Sequence, residues 1–267
     1  MSTMNKLSLI TACYNSELTI TDTLRSVSDQ TYSNIEHIVI DGGSNDSTMS
    51  LVSKHGERVV KTISEKDKGI YDAYNKGLRL ASGEIVGFIN SDDFYASDTV
   101  LAKVMSVFED PSIDACHANL CYVDSNDTSK IERVWRSWNY RDVDFERGYL
   151  PAHPTIFLRR ELYDKHGHFS LDFGMVGDVD LVLRMFYRKD INSIHVDETW
   201  VHMRAGGATD VGGLKGILNQ SRAIRKVQRN NGIHSSLIIY SLIKIFSRAN
   251  QICKARLHRL FHGRCSL

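Results

Sequence analysis

The sequence predicts an α/β fold in which a mostly parallel central sheet is flanked by helices. Short apolar runs alternate with segments whose apolar residues recur every three or four positions, and polar clusters directly follow several of the apolar runs. The length of 267 residues suits one large α/β domain. A content of 42% apolar and 24% charged residues is ordinary for a globular protein.

The alternation of strands and helices is clearest in the N-terminal part of the chain. Such alternation is typical of βαβ units, so the strands are expected to lie parallel. From residue 114 the pattern becomes less regular. Strands are expected at 7–13, 35–40, 59–64, 85–89, 115–123, 131–135 and 153–158, and helices at 16–27, 46–55, 69–81, 97–108 and 178–188.

Three polar clusters lie where predicted strands end. They are Tyr14-Asn15, the turn 41–44, and the segment 90–93. In an open parallel sheet, ligands bind outside the carboxyl ends of the strands. The sequence therefore predicts one binding site built from these three clusters.

The adjacent acids Asp92 and Asp93 are the strongest local indication of chemistry. Neighbouring carboxylates repel each other, so both ionise readily only where a cation or hydrogen-bond donors offset their charge. Their hard oxygen ligands suit Mg²⁺ or Mn²⁺, which can bridge a protein to a diphosphate. A solvated turn or a helix N-terminus is the alternative interpretation of such a pair.

Four motifs in this order resemble glycosyltransferase family 2, and more narrowly its members that build bacterial surface polysaccharides, such as those of colanic acid synthesis. They are residues 8–15, 38–48, 69–77 and 88–93. The resemblance spans about 7–207 and implies a GT-A fold. It also implies inverting transfer of a sugar from a nucleotide-diphosphate sugar to a glycan or lipid-linked acceptor, with Mg²⁺ or Mn²⁺ as the cofactor.

The resemblance also implies roles for residues at the donor. Tyr14 would lie against the nucleobase, beside Asn15, and Asp41 would accept a hydrogen bond from the base. Asp92 would contact the ribose or the metal, and Asp93 would bind the metal. The motif at 69–77 would bring Asp72 to the donor. Asn75 in the same motif is either a donor-binding residue or a helix side chain bonded to a loop. Asn90 departs from the family, which more often has aspartate there.

The segment 177–184 is similar to the acidic motif that carries the family's general base. Asp178 takes the position of the carboxylate that deprotonates the acceptor. Gly177 stands where the family usually has a glutamate, so an orienting acid is missing. One carboxylate suffices as a base for inversion. Asp180 is the alternative base, unless it is a helix acid beside Arg184.

Three more residues are candidates for the acceptor side or for a closing loop. His153 is expected to line the acceptor pocket, unless it is structural. The resemblance continues to the glycine pair Gly206-Gly207, just after His202 and Arg204. We expect a loop there that closes over the donor, with His202 or Arg204 reaching the phosphates or the metal; a plain tight turn is the alternative.

Charge divides the chain unevenly. Residues 211–267 hold 11 of the 33 lysines and arginines and none of the 32 acids. We expect a catalytic domain at 1–210, in which 1–112 bind the nucleotide sugar and 113–210 handle the acceptor, followed by a basic helical tail at 211–267. Within the tail, residues 238–259 have the pattern of a basic amphipathic helix, which suits an anionic membrane surface or docking on the catalytic domain.

The expected location is cytoplasmic, on the inner face of the cytoplasmic membrane if the tail binds lipid. Five cysteines in no paired motif indicate reduced thiols. No nucleic acid partner is expected. Two other functions stay open. A sugar-nucleotide nucleotidyltransferase usually needs a glycine-rich basic loop after the first strand, which 11–15 do not provide. A non-catalytic nucleotide-sugar or glycan-binding module is conceivable because of Asn90 and Gly177.

Overall fold

The N-terminal half alternates strands and helices as the sequence predicts. A computed structural model describes residues 5–189, 191–206 and 213–234, together with residues 243, 246, 247 and 251. In order, the elements are β1 (Leu7–Cys13), α1 (Ile20–Ser28), β2 (Ile35–Asp41), α2 (Thr48–His55), β3 (Val59–Ser64), α3 (Ile70–Leu80), β4 (Ile85–Phe88), β5 (Phe94–Tyr95) and α4 (Val100–Val107).

The second half of the chain adds strands that run in both directions. Its elements are β6 (Ala115–Val123), β7 (Ile131–Trp135), α5 (Asp142–Glu146), β8 (Phe157–Arg159), α6 (Glu161–His166), α7 (Gly177–Phe186), β9 (Ser193–Arg204) and α8 (Gly213–Asn230). Short 3₁₀ turns precede β8 and α7.

The described strands form one mixed sheet in the order β3-β2-β1-β4-β8-β6-β9-β5, with β7 added to β6. The first four strands of this order are parallel, which confirms the predicted βαβ arrangement. β8 is antiparallel to both β4 and β6 and so joins the two halves. The α/β fold class is confirmed, although antiparallel pairs are more numerous than a mostly parallel sheet implies.

Helices cover both faces of the sheet, and its central strands are buried on both faces. In β1, Ile10 packs into the apolar cluster under α3 and α7, while Leu7 and Leu9 point to the cluster under α4. This two-sided burial explains why β1 is apolar throughout rather than alternating. The helices show one apolar face each, as in α1, where Ile20, Leu24 and Val27 are buried.

Two regions differ from the sequence prediction. The predicted strand at 153–158 is a 3₁₀ turn over His153–Thr155 followed by β8, because Pro154 has no backbone N–H for a strand ladder. β9 was not predicted at all. Its outer half is polar and half-exposed, and its register with β6 shifts twice, so no simple alternation marks it.

α8 packs on the body of the protein. Its Ile224 and Val227 are buried in the same cluster as residues of α7, and Ile233 follows them. The predicted boundary at 210/211 stays a prediction. The amphipathic helix predicted at 238–259 lies mostly outside the described residues, and the four that are described there, 243, 246, 247 and 251, are helical. Among the described residues, no helix has the length and hydropathy needed to cross a bilayer.

The close packing of β4 on β8 predicts how a substitution there changes the free energy of unfolding. A Cβ placed on Gly87 would lie 2.3 Å from Cε1 of its register partner Phe157. Gly87→Ala is therefore expected to lower the free energy of unfolding by roughly 1–3 kcal/mol, as overpacked cores do. Urea denaturation measures the change.

A double variant makes the Gly87 test specific. Adding Phe157→Leu should recover part of the loss, so that the two substitutions are less than additive. Unchanged stability of Gly87→Ala alone would contradict the predicted clash, because alanine otherwise favours the folded strand over glycine.

Candidate active site

The loops after β1 and β2 are bonded to each other at the carboxyl edge of the sheet. The backbone N–H of Asn15 donates to Ser44 Oγ at 2.8 Å, and Asn15 Oδ1 accepts from the N–H of Asn45 at 3.1 Å. Asn15 has a left-handed backbone, with φ of 47°. This conformation suits asparagine and turns the chain here. Tyr14 beside it is 62% exposed. The first two predicted clusters thus meet.

Asp41 shapes the second loop from a fully buried position. Its carboxylate accepts from the backbone N–H groups of Gly43 and Ser44 and from the hydroxyls of Ser44 and Ser64, at 2.5 to 3.2 Å for the shortest contact of each. These bonds hold the loop in place. The nucleobase contact that sequence reasoning assigned to Asp41 stays a prediction.

Gly42 lies between an aromatic ring and a carboxylate. A Cβ there would be 2.8 Å from Asp67 Oδ2 and 3.4 Å from Tyr14 Cδ2. The absence of a side chain at position 42 therefore keeps Tyr14 and Asp67 close on either side of the loop.

The third cluster joins the other two through hydroxyl and amide bonds. Ser91 Oγ lies 2.9 Å from Ser16 Oγ, in the loop after β1. Asn90 accepts from Tyr74 Oη at 2.5 Å and donates through Nδ2 to Asp93 Oδ2 at 2.7 Å. An aspartate at position 90 could not donate this bond in its ionised form. The departure from the family pattern therefore adds a donor to Asp93.

Asp93 is completely buried, and its Oδ1 has no hydrogen-bond partner in the part of the chain that the structure describes. Burial raises the pKa of Asp93 well above its usual range, and the nearby charge of Asp92 adds to the shift. Burial also raises the pKa of Asp92, against the opposing charge of Arg204. The surroundings of both carboxylates therefore hold too little positive charge to offset their burial.

His202 and Arg204 lie in β9 rather than in a loop, because this strand pairs with its neighbours as far as Arg204. Their contact with the phosphates or the metal stays a prediction. His202 pairs with Phe94 of β5, packs edge-on to the Phe94 ring and is buried, which lowers its pKa to about 4. Arg204 donates to Asp22 at 2.5 Å and to the Asp92 carbonyl at 2.6 Å. Arg204 thus supports the acidic pair through its loop. Gly206 follows with φ of 87°, and Gly207 lies outside the described residues.

Asp178 is half-buried in the first turn of α7 and accepts a hydrogen bond from Tyr71 Oη at 2.9 Å. Tyr71 comes from the first turn of α3, more than a hundred residues earlier in the chain. The ring of Tyr71 covers Gly177, where an added Cβ would lie 2.8 Å from Tyr71 Cδ2. The glutamate position of the family is thus filled by a neighbouring tyrosine.

The surroundings of Asp180 favour the alternative interpretation of a helix acid beside Arg184. It is 1% exposed and bonded to Arg184 Nε at 2.8 Å and to Asn231 Nδ2 at 3.1 Å. The guanidinium of Arg184 also donates to the carbonyls of three consecutive residues, His166, Gly167 and His168. Asp180 is therefore part of a structural network that ties α7 to the chain before it.

Asn75 is positioned differently from its predicted role at the donor. Its amide donates to the Phe169 carbonyl at 2.9 Å and accepts from the Phe169 N–H at 3.0 Å. Both ends of the amide are engaged, so Asn75 ties α3 to the loop before α7. Asp72 accepts from the N–H of Lys68 at 3.1 Å and lies 3.9 Å from Lys76 Nζ. Its donor contact stays a prediction.

His153 lies among aromatic rings beside the base. Its ring centroid is 5.4 to 5.9 Å from those of Phe88, Phe169 and Tyr74. Burial lowers the pKa of His153, and the charge of Asp178 opposes this shift. Its predicted acceptor contact stays a prediction.

Tyr74 lies near both acidic groups of the site, which are the pair Asp92–Asp93 and Asp178. The pKa of this buried tyrosine is raised by burial first, and then by the charges of Asp93, Asp92 and Asp178. The acidic pair and the candidate base therefore act on one side chain. Sequence reasoning assigned no site role to Tyr71 or Tyr74, although the spacing of both with Asn75 places them on one face of a helix.

Comparisons with known proteins agree with this arrangement. The family model described as Glycosyl transferase family 2 matches residues 8–173. The PGL/p-HBAD biosynthesis glycosyltransferase of Mycobacterium tuberculosis is 25% identical over 263 residues, covering 92% of this chain and 91% of the relative. An uncharacterized glycosyltransferase of the same species is 28% identical over 200 residues, covering 69% of this chain and 70% of the relative.

Solved structures share the fold. Staphylococcus aureus TarS 1–349 superposes with a TM-score of 0.64 at 19% identity, over 96% of this chain and 72% of that one. The chain spans 44% of the longer TarS chain. A mannosyltransferase from Pyrobaculum calidifontis, solved with GDP-Man and Mn²⁺, superposes with a TM-score of 0.61 at 18% identity, over 99% of this chain and 77% of that one.

The narrower expectation of a colanic-acid type of enzyme stays a prediction, because the Mycobacterium tuberculosis relative that matches over 263 residues is named for PGL/p-HBAD biosynthesis. The family match covers more than half of the chain and includes all four motifs at the carboxyl edge of the sheet. The chain belongs to glycosyl transferase family 2 and is a glycosyltransferase.

Proposed function

We propose that the protein transfers a sugar, with inversion, from a nucleoside-diphosphate sugar to a hydroxyl of a glycan or lipid-linked acceptor in bacterial surface polysaccharide synthesis. The observation that carries the proposal is that α3 bonds to both acidic groups: Tyr74 donates to Asn90, which donates to Asp93, and Tyr71 donates to Asp178. The donor class is supported by structural neighbours solved with UDP-GlcNAc and with GDP-Man.

Asp92 and Asp93 fit a divalent cation. An unpartnered, buried carboxylate oxygen is unfavourable unless a positive charge or donor meets it, and Asp93 Oδ1 has this character. Mg²⁺ is usually held by one or two carboxylates together with substrate phosphates, so two acids suffice. When bound, Mg²⁺ or Mn²⁺ would offset negative charge on the departing diphosphate.

Asp178 is the residue that we assign to the acceptor. Its Oδ1 accepts from Tyr71, and its Oδ2 is left for the acceptor hydroxyl. A base that removes this proton as the hydroxyl attacks makes the oxygen a better nucleophile, and it must lie on the side opposite the leaving group. The burial and ion pairing of Asp180 leave Asp178 as the stronger candidate.

We further propose that the enzyme works on the inner face of the cytoplasmic membrane. The described face of α8 exposes Arg222, Lys226 and Arg229, and α8 has no acidic residue. Leu171 and Met175, in the loop just before Asp178, are 44% and 53% exposed. Cations beside exposed apolar groups suit an anionic lipid surface, and the residues 235–267 add further basic charge.

Asp178→Asn is expected to lower the rate of donor hydrolysis or transfer by roughly 10²–10⁴-fold, because an amide cannot accept the proton. Donor affinity should stay within about twofold, since Asp178 is assigned to the acceptor side. The rates are measured as release of nucleoside diphosphate, and the affinity by calorimetry. Asp164→Asn, at an exposed acid on α6, is the matched control. Retained turnover in Asp178→Asn would eliminate Asp178 as the base.

Asp93→Asn is expected to raise the thermal stability of the metal-free protein. The raised pKa of Asp93 means that the wild type loses stability as the pH rises through that value, whereas the neutral amide does not. For a protein of this size, Tm should rise by about 2–4 °C per kcal/mol gained.

The same melting curves test the metal site. Mn²⁺ with UDP should raise the Tm of the wild type and of Asp164→Asn, but not that of Asp93→Asn. Equal stabilisation of all three proteins by Mn²⁺ with UDP would rule out Asp93 as a ligand.

Replacing Lys254, Arg256 and Arg259 by glutamine in the full chain is expected to weaken binding to vesicles that contain phosphatidylglycerol by about a hundredfold, from about 1 kcal/mol per charge. Flotation measures the binding. A triple glutamine variant at Lys54, Lys130 and Lys165, which are exposed on the body, is the control. Equal flotation of both variants would remove the proposed role of the C-terminal charges.

A further inference from the structure

Tyr71 and Gly177 are matched in shape. The ring of Tyr71 lies where any side chain at position 177 would have to go, since a Cβ there would be within 2.9 Å of two ring carbons and 3.0 Å from the Ser170 carbonyl. The hydroxyl at the end of the same ring donates to Asp178 Oδ1. One side chain thus fills the space beside the candidate base and also bonds to it.

We propose that Tyr71 is a positioning residue for the general base, and that it replaces the acid missing at position 177. The inference rests on the proposed role of Asp178. Tyr71 fixes the carboxylate of Asp178 through one oxygen, so that the other keeps a constant direction toward the acceptor.

The ring of Tyr71 is itself held in place from two directions. It stacks on Phe169, with ring centroids 5.4 Å apart and planes 18° apart. The backbone of Phe169 is bonded twice to Asn75, which lies one turn after Tyr71 on α3. Rotation of the Tyr71 ring would therefore disturb both the stack and this clamp. A side chain held in this way can orient its partner with little loss of entropy.

The hydrogen bond depends on Tyr71 keeping its proton. Tyr71 remains a neutral donor, because burial and the charge of Asp178 raise its own pKa above the usual range. The other ionisable groups around Asp178 are Tyr74 on α3 and His153 before β8. The charges of Asp92 and Asp93 act on Tyr74, as the charge of Asp178 does.

Tyr71→Phe tests the proposal, since it removes the hydroxyl and keeps the ring over Gly177. We expect kcat to fall about tenfold or more, as on loss of a hydrogen bond to a charged group, with the donor KM unchanged. A general disturbance of the site would instead raise the donor KM together with the fall in kcat.

Two further variants separate the possible results. Tyr140→Phe removes a half-buried hydroxyl that donates to the Leu150 carbonyl at 2.8 Å, and it should leave kcat unchanged. Gly177→Ala pushes the Tyr71 ring away while keeping its hydroxyl, and it should lower kcat in the same way as Tyr71→Phe. Thermal melting checks that each variant is folded.

The outcomes for the base and for Tyr71 can be told apart. If Asp178→Asn keeps its turnover, the proposed function of Asp178 fails. If Asp178→Asn is inactive while Tyr71→Phe has the kcat of the wild type, Tyr71 does not position the base, and only this inference is overturned.

Discussion

The burial of Asp93 is the constraint on which the site depends. A carboxylate with no exposed surface and one unpartnered oxygen is unfavourable by itself, and the surrounding residues only partly compensate it. Asn90 donates to it, and the positive charge of Arg204 acts on it from β9. Buried acids with a strongly shifted pKa occur mainly at functional sites. The loops after β1, β2 and β4 are arranged around this carboxylate.

α3 connects this donor side to the candidate base. Tyr74 bonds Asn90 in the loop that carries the acidic pair. Tyr71 and Asn75, on the same face of α3, hold Asp178 and the loop before it. Because all three side chains stand on one helix of three turns, the distance between the acidic pair and the base is set by a rigid element rather than by loops. The motif at 69–77 therefore corresponds to the helix that sets the distance between the acidic pair and the candidate base.

Local pattern predicted the parallel half of the fold well. The strands at 7–13 and 59–64 have the expected bounds, as do 115–123 and 131–135 in the second half, and the three polar clusters at strand ends do meet. These predictions rest on periodicity and on the rule that parallel strands end at one edge. The placement of Asp180 could also have been anticipated, because Arg184 is one helical turn away and forms its ion pair.

What local pattern could not predict depends on distant parts of the chain. β9 is a strand because β6 and β5 pair with it, although its own sequence mixes acids and histidines. The partners of Arg204 lie 182 and 112 residues away, so nothing near Arg204 indicates them. The sequence left Asn75 open between a ligand residue and a helix side chain bonded to a loop. Its partner is a backbone segment that folds back from position 169, which local pattern does not identify.

The close fit of Gly87 and Phe157 has a consequence for chimeric enzymes. β8, which carries Phe157, has three residues and lies between β4 and β6, so it joins the parallel half of the sheet to the second half. A second half taken from a relative would have to bring an aromatic ring of the same size to a strand that lacks a side chain at that position. The two halves of different relatives are therefore easier to recombine when β4 and β8 are kept from one parent.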